Sequence, residues 1–87
     1  MNYSVRIKQS ALRAMERLPA PDRARIDARI AALAGEPRPP GCVKLAGQAN
    51  LWRIRVGNYR VIYEIRDQEL IVAVVVVSHR RDAYRNL

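Results

Sequence analysis

Phenylalanine is missing from the chain, tryptophan and histidine occur once each, and Cys42 is the single cysteine among 87 residues. One cysteine excludes an internal disulfide and fits a reducing compartment. With no histidine or second cysteine at ligand spacing, it offers no metal site either. Acidic residues are scarce as well, eight against sixteen Lys and Arg, which leaves a net charge of +8 and a pI near 10.8. Glu16, Asp22, Asp27 and Glu36 are scattered through the first half, so metal-assisted hydrolysis has no carboxylate cluster to use. Also absent are paired carboxylates, a Ser or Cys nucleophile beside a base, and a Gly-rich phosphate loop. The longest apolar run, Leu70 to Val77, falls far short of the roughly 20 residues a membrane helix needs. The opening MNYSVRIK alternates instead of forming an apolar signal core. These absences point to a cytoplasmic protein with no membrane partner, no metal and no cofactor.

What the chain has in plenty is arginine. Lysine occurs only at Lys8 and Lys44, so nearly all the cationic charge is guanidinium, which grips phosphate in bidentate fashion and stacks on bases. That balance favours a nucleic acid or an acidic protein as partner. The arginines are placed most tellingly in LWRIRVGNYRVIYEIR, Leu51 to Arg66, where apolar and charged residues alternate on both sides of Gly57-Asn58. The pattern predicts a hairpin with a two-residue type II′ turn. In that register Val56 faces Tyr59, Arg55 faces Arg60 and Ile54 faces Val61. Trp52, Ile54, Val56, Tyr59, Val61 and Tyr63 share the core side. Arg53, Arg55 and Arg60 share the other, with Glu64 expected to pair with one of them. Opposed like charges cost a sheet up to about 1 kcal/mol, so stability alone does not explain the arrangement, although exposed strand faces often carry solvated charge.

The rest of the chain organises around that hairpin. Tyr3, Val5 and Ile7 alternate as a first strand. Ser10 is placed to cap a short helix through Leu18 with the stripe Leu12, Met15, Leu18. After Pro19 and Pro21, Ile26, Ile30 and Leu33 mark a second helix that Gly35 should stop. A Pro-rich loop follows, Val43-Lys44-Leu45 resumes briefly, and after the hairpin a turn at Asp67-Gln68 leads into Glu69 to Ser78. The two-sided apolar run IVAVVVV predicts a central strand there. The order β-α-α-β-β-β over residues 1–87 describes one α+β domain, a helical hairpin on one face of a mostly antiparallel four-stranded sheet. The uncovered face would carry the arginines.

The tail continues as His79-Arg80-Arg81-Asp82-Ala83-Tyr84-Arg85. A strand end feeding a basic loop can bring His79, Arg80 or Arg81, and Tyr84 over the open face to join Arg53, Arg55 and Arg60. Such an electrostatic cage, with one group titrating near neutrality, suits metal-free RNA cleavage. The 2′-hydroxyl is a built-in nucleophile, fixed charge stabilises the phosphate, and a 2′,3′-cyclic phosphate results. Lys44, Arg81 and Arg85 would add phosphate contacts. Plainer roles stay open: His79 as a loop residue, Tyr84 as a packing group, and the arginines as a binding surface without chemistry.

The hairpin LWRIRVGNYRVIYEI, the strand ending VVVVSHRRDAY, and the preceding strand and two helices resemble the RelE/ParE superfamily of bacterial toxins along nearly the whole chain, with HRRDAY more similar to the RelE branch. The resemblance implies a ribosome-dependent endoribonuclease that cuts mRNA and is silenced by a co-encoded antitoxin in a hetero-oligomer. It matches Arg53 and Arg55 to the strand pair that contacts mRNA, Arg60 of G-x-Y-R to the group on the scissile phosphate, Arg80 to the arginine after the last strand, and Tyr84 to the C-terminal tyrosine. Lysines are usual at the strand pair. Arginine is a poor proton acceptor, which moves the proton-transfer role toward His79 or the ribosome. ParE-type members share the hairpin but inhibit DNA gyrase.

Overall fold

The computed structural model describes residues 2–79. A first strand, β1 (Ser4–Ile7), leads directly into helix α1 (Gln9–Glu16), then α2 (Ala20–Ala32), β2 (Val43–Lys44), β3 (Leu51–Val56), β4 (Tyr59–Arg66) and β5 (Ile71–His79). The sheet order is β1-β5-β4-β3-β2, with β1 parallel to β5 and every other pair antiparallel. The expected α+β architecture is present with five strands instead of four. The extra strand is the edge pair Val43 and Lys44, opposite Arg53 and Trp52, and two residues are too few for alternation to reveal.

Both helices lie on one face. Ile26, Ile30 and Leu33 are buried at helical spacing, as their sequence pattern predicts. Pro21 stands in the first turn of α2, where a missing N–H costs no hydrogen bond, and Asp22 there complements the helix dipole. Helix α1 differs from expectation. Lys8 occupies its N-cap without a side-chain bond, so Ser10 is not the cap. Its buried stripe is Ala11 and Met15 with Leu18 partly covered, while Leu12 is 43 % exposed. Only Lys8 separates the end of β1 from the start of α1. Gly35 does not adopt a left-handed stop, since the positive-φ glycines are Gly41, Gly47 and Gly57. Bonds from Leu33, Ala34 and Gly35 N–H to carbonyls three residues back close α2 instead.

The core fills the space between the helices and the near sheet face: Met15, Ile26, Ile30 and Leu33 against Ile54, Val56, Val61, Tyr63, Ile65, Val72, Val74 and Val77. Tyr63 is fully buried and donates its hydroxyl to the Pro37 carbonyl at 2.7 Å, and burial raises its phenol pKa. That bond ties the Pro-rich loop to the sheet. Arg38 strengthens the tie, lying 4.9 Å over the Trp52 ring and gripping Asp67 at 2.8 and 3.1 Å.

One irregularity decides which side chains reach which face. In the β4–β5 ladder Ile62 pairs with Val76, but Tyr63 pairs with Val74, so Val75 is an extra residue. A single inserted residue reverses the facing of everything beyond it. Val77, three positions after Val74, thereby joins the core, and Val76 turns to the open face. A run of valines hides this, because either facing is apolar. Among the described residues no helix is long and apolar enough to cross a membrane.

Candidate nucleic-acid interface

The hairpin forms in the register its alternation predicts: Ile54 opposite Val61, Arg55 opposite Arg60, and Val56 opposite Tyr59. Gly57 has φ +59° while Asn58 keeps a negative φ, the type II′ combination. Because paired residues share a face, two rows of side chains cross the helix-free side near the turn. One row is Arg53, Ile62 and Val76; the next is Arg55, Arg60 and Ser78. Arg55 is exposed, and Arg53 and Arg60 are half-buried.

These arginines stand on an apolar seat. Ile62 is fully buried although it lies on the face without helices, in the row of Arg53. The Nε of Arg53 is likewise buried, and it has no hydrogen-bond partner among the described residues. Nor does any described carboxylate pair with Arg53 or Arg55. Glu64 shares their face but bonds Arg66 at 2.6 Å, not a hairpin arginine as the sequence led one to expect, and Arg66 also reaches Glu69 at 3.4 Å. Arg66 is nearest in the strand and carries its own flexible stem, so it captures the carboxylate first. The patch is thus rich in fixed donors and poor in acceptors, suited to a ligand with several anionic oxygens.

His79 does not join them. The bulge at Val75 turns it to the helix-covered side, opposite Tyr59, whose ring it meets edge-on at 5.8 Å. Tyr59 in turn donates to Asp22 Oδ2 at 3.3 Å, and Asp22 accepts from Arg25 at 2.7 Å. Burial, with the Asp22 charge, raises the Tyr59 phenol above its ordinary pKa. Lys44 is also apart, since it pairs with Trp52 on the other side from Arg53. Arg80, Arg81, Tyr84 and Arg85 lie outside the described residues. Sequence reasoning therefore gathers Arg53, Arg55 and Arg60 correctly. It misses Ser78, which enters their row through a bulge no periodicity signals. It also misses the approach of α2 to the hairpin, where Arg29 Nη1 lies 3.5 Å from the Arg55 carbonyl oxygen and Arg25 sits over Gly57. Among the described residues no three His, Cys, Asp or Glu side chains gather as metal ligands.

The family model for the ParE toxin of type II toxin–antitoxin systems matches residues 5–84. Toxin RelG of Mycobacterium tuberculosis is 33 % identical over 86 residues, covering 98 % of this chain and 99 % of RelG. The archaeal RelE–RelB complex from Pyrococcus horikoshii contains a chain of TM-score 0.83 and 30 % identity, covering 95 % of this chain and all of that one. A chain of the M. tuberculosis toxin–antitoxin complex RelBE2 superposes with TM-score 0.81 at 29 % identity, over 92 % of this chain and all of its own length. The fold and these matches define a small toxin of the type II class. The chain belongs to the RelE/ParE superfamily of those toxins, in its RelE-like branch.

Proposed function

We propose that this toxin is an endoribonuclease that cuts mRNA on the ribosome in the cytoplasm, using the RNA 2′-hydroxyl as nucleophile. The observation that carries the proposal is the directly opposed pair Arg55 and Arg60 beside Arg53 on a face without helices. In the reaction the 2′-oxygen bonds to phosphorus, the P–O5′ bond breaks, and a 2′,3′-cyclic phosphate and a 5′-hydroxyl form. The 2′ proton leaves to a base, and a proton reaches the departing 5′ oxygen. Arg60 holds the non-bridging oxygens as charge grows on them, while Arg53 and Arg55 hold the strand. Arginine stays protonated, with a pKa above about 12, so none of the three is the base. His79 faces Tyr59 on the other side of the sheet, which leaves that role to groups brought by the ribosome. In this reading Arg80 and Tyr84 add charge and stacking from the tail and Arg81 and Arg85 add phosphate contacts, while Lys44, on the other side of the sheet, takes no part.

The partner that silences it is a co-encoded antitoxin, as in the RelE–RelB complexes it resembles. An acidic or amphipathic segment that folds on binding would match the +8 charge.

The test is to add the purified toxin to translating ribosomes and map mRNA ends. Codon-phased cuts are expected, and Arg60→Ala should slow them by about 100-fold, the loss typical of one oxyanion donor. A second reading, inhibition of DNA gyrase, has the ParE family match over residues 5–84 in its favour. Intact mRNA together with trapped gyrase–DNA breaks would establish it; intact mRNA with tight RNA binding would mean that the arginines only bind.

A further inference from the structure

We propose that Ser78 receives the ribose 2′-hydroxyl, and that this contact makes the arginine face prefer RNA to DNA. The inference rests on the RNA-directed reading above and names the side chain that recognises the sugar.

The two register rows of the open face nearest the turn hold Arg53, Ile62 and Val76, and Arg55, Arg60 and Ser78. Guanidiniums donate hydrogen bonds and accept none, and Ile62 and Val76 do neither. A 2′-hydroxyl needs both kinds of partner. Donors alone would engage its oxygen, the atom that must attack phosphorus, and leave its hydrogen unheld. Within those rows only the Ser78 side chain can accept. Its Oγ is buried and has no hydrogen-bond partner among the described residues. Glu64, the carboxylate farther along the same face, is already held by Arg66 at 2.6 Å.

Ser78 follows four valines in β5, where another valine would pack without an unmet polar atom. The bulge at Val75 brings it beside Arg60; without that extra residue it would point at the helices. The oxygen is covered in the free protein, so its cover must part as the ribose enters. Once there, the 2′-hydroxyl donates to Ser78 Oγ, and the serine hydroxyl turns its own hydrogen toward a phosphate oxygen. No proton is transferred to the serine. Ser78 places the sugar in the bound state; for cutting, the hydrogen turns from Ser78 to the base that removes it as the 2′-oxygen attacks phosphorus.

The experiment measures dissociation constants of wild type, Ser78→Ala and Ser78→Thr for one short single strand made as RNA and as DNA, by fluorescence anisotropy. Wild type should favour RNA by roughly three- to tenfold, the worth of one hydrogen bond. Ser78→Ala should reduce that ratio to within about twofold by weakening RNA more than DNA, and Ser78→Thr, which keeps the hydroxyl, should retain the preference. The proposal is overturned if wild type shows no preference, if Ser78→Ala keeps the wild-type ratio, or if it weakens RNA and DNA equally. Cutting is scored separately on ribosomes. A protein that prefers RNA through Ser78 yet never cuts would refute the nuclease and leave Ser78 as the sugar selector.

Discussion

Tyr59 meets His79 edge-on across the β4–β5 ladder, with ring centroids 5.8 Å apart and ring planes at 79°, on the side of the sheet the helices cover. The contact exists because Val75 is an extra residue opposite Ile62 and Tyr63. Strict alternation would send His79 to the arginines and Ser78 into the core; the bulge exchanges them. The single histidine thus braces the strand end against Tyr59, and through Tyr59 against Asp22 at 3.3 Å on helix α2.

His79→Ala should therefore act mainly on stability. An edge-to-face ring pair contributes about 0.5–1.5 kcal/mol, and the urea midpoint should fall accordingly. Cutting of mRNA should drop by less than about fivefold, against roughly 100-fold for removal of a charge stabiliser such as Arg60. A variant with an unchanged midpoint and activity as low as Arg60→Ala would return His79 to the chemistry.

Arg55→Thr should stabilise the fold while weakening its function. Removing one of two directly opposed guanidiniums relieves about 0.2–1 kcal/mol of repulsion, and threonine suits a strand. The same change should weaken single-stranded RNA and reduce the slope of log K against log salt by about 0.7, one phosphate contact. Thermal melting and a salt titration measure the two effects. A melting temperature that falls together with an unchanged salt slope would show that Arg55 serves packing instead.

Asp67 makes the acid limb of stability predictable. The Arg38 guanidinium, with the Tyr3 hydroxyl at 2.6 Å, lowers its carboxyl pKa from 3.8 to about 2. A folded pKa below the unfolded one means that the stabilisation is complete above the unfolded value and is lost as pH falls toward the folded one. Urea midpoints should thus decline between about pH 4 and pH 2. Asp67→Asn should start lower at neutral pH and decline less across that window. Parallel acid limbs for the two proteins would remove Asp67 from the account.

Legibility followed the range of the interaction. The hairpin register could be read residue by residue, because a two-residue turn and strict alternation leave a single pairing that puts Ile54, Val56 and Val61 together. The second helix was readable from Ile26, Ile30 and Leu33 for the same reason. The first helix departs from its expected stripe by one position: Leu12 and Ala11 both fit a helical period, and Ala11 is the one buried. The two-residue strand at Val43 and Lys44 carries no period at all. Glu64 is expected to pair with one of the hairpin arginines and instead holds Arg66, because sequence shows who shares a face, not who is nearest.

The chain's own order of residues thus determined the hairpin, the concentration of guanidinium on one of its sides, and the apolar half that the helices must cover. Each follows from the two-residue repeat of a strand and the short reach of a tight turn. Only the assembled sheet decided what stands beside those arginines. Four consecutive valines satisfy either facing, so where the ladder gains its extra residue is set by how β5 packs between β1 and β4 under the helices. That choice carried Ser78 to the arginines and His79 away from them.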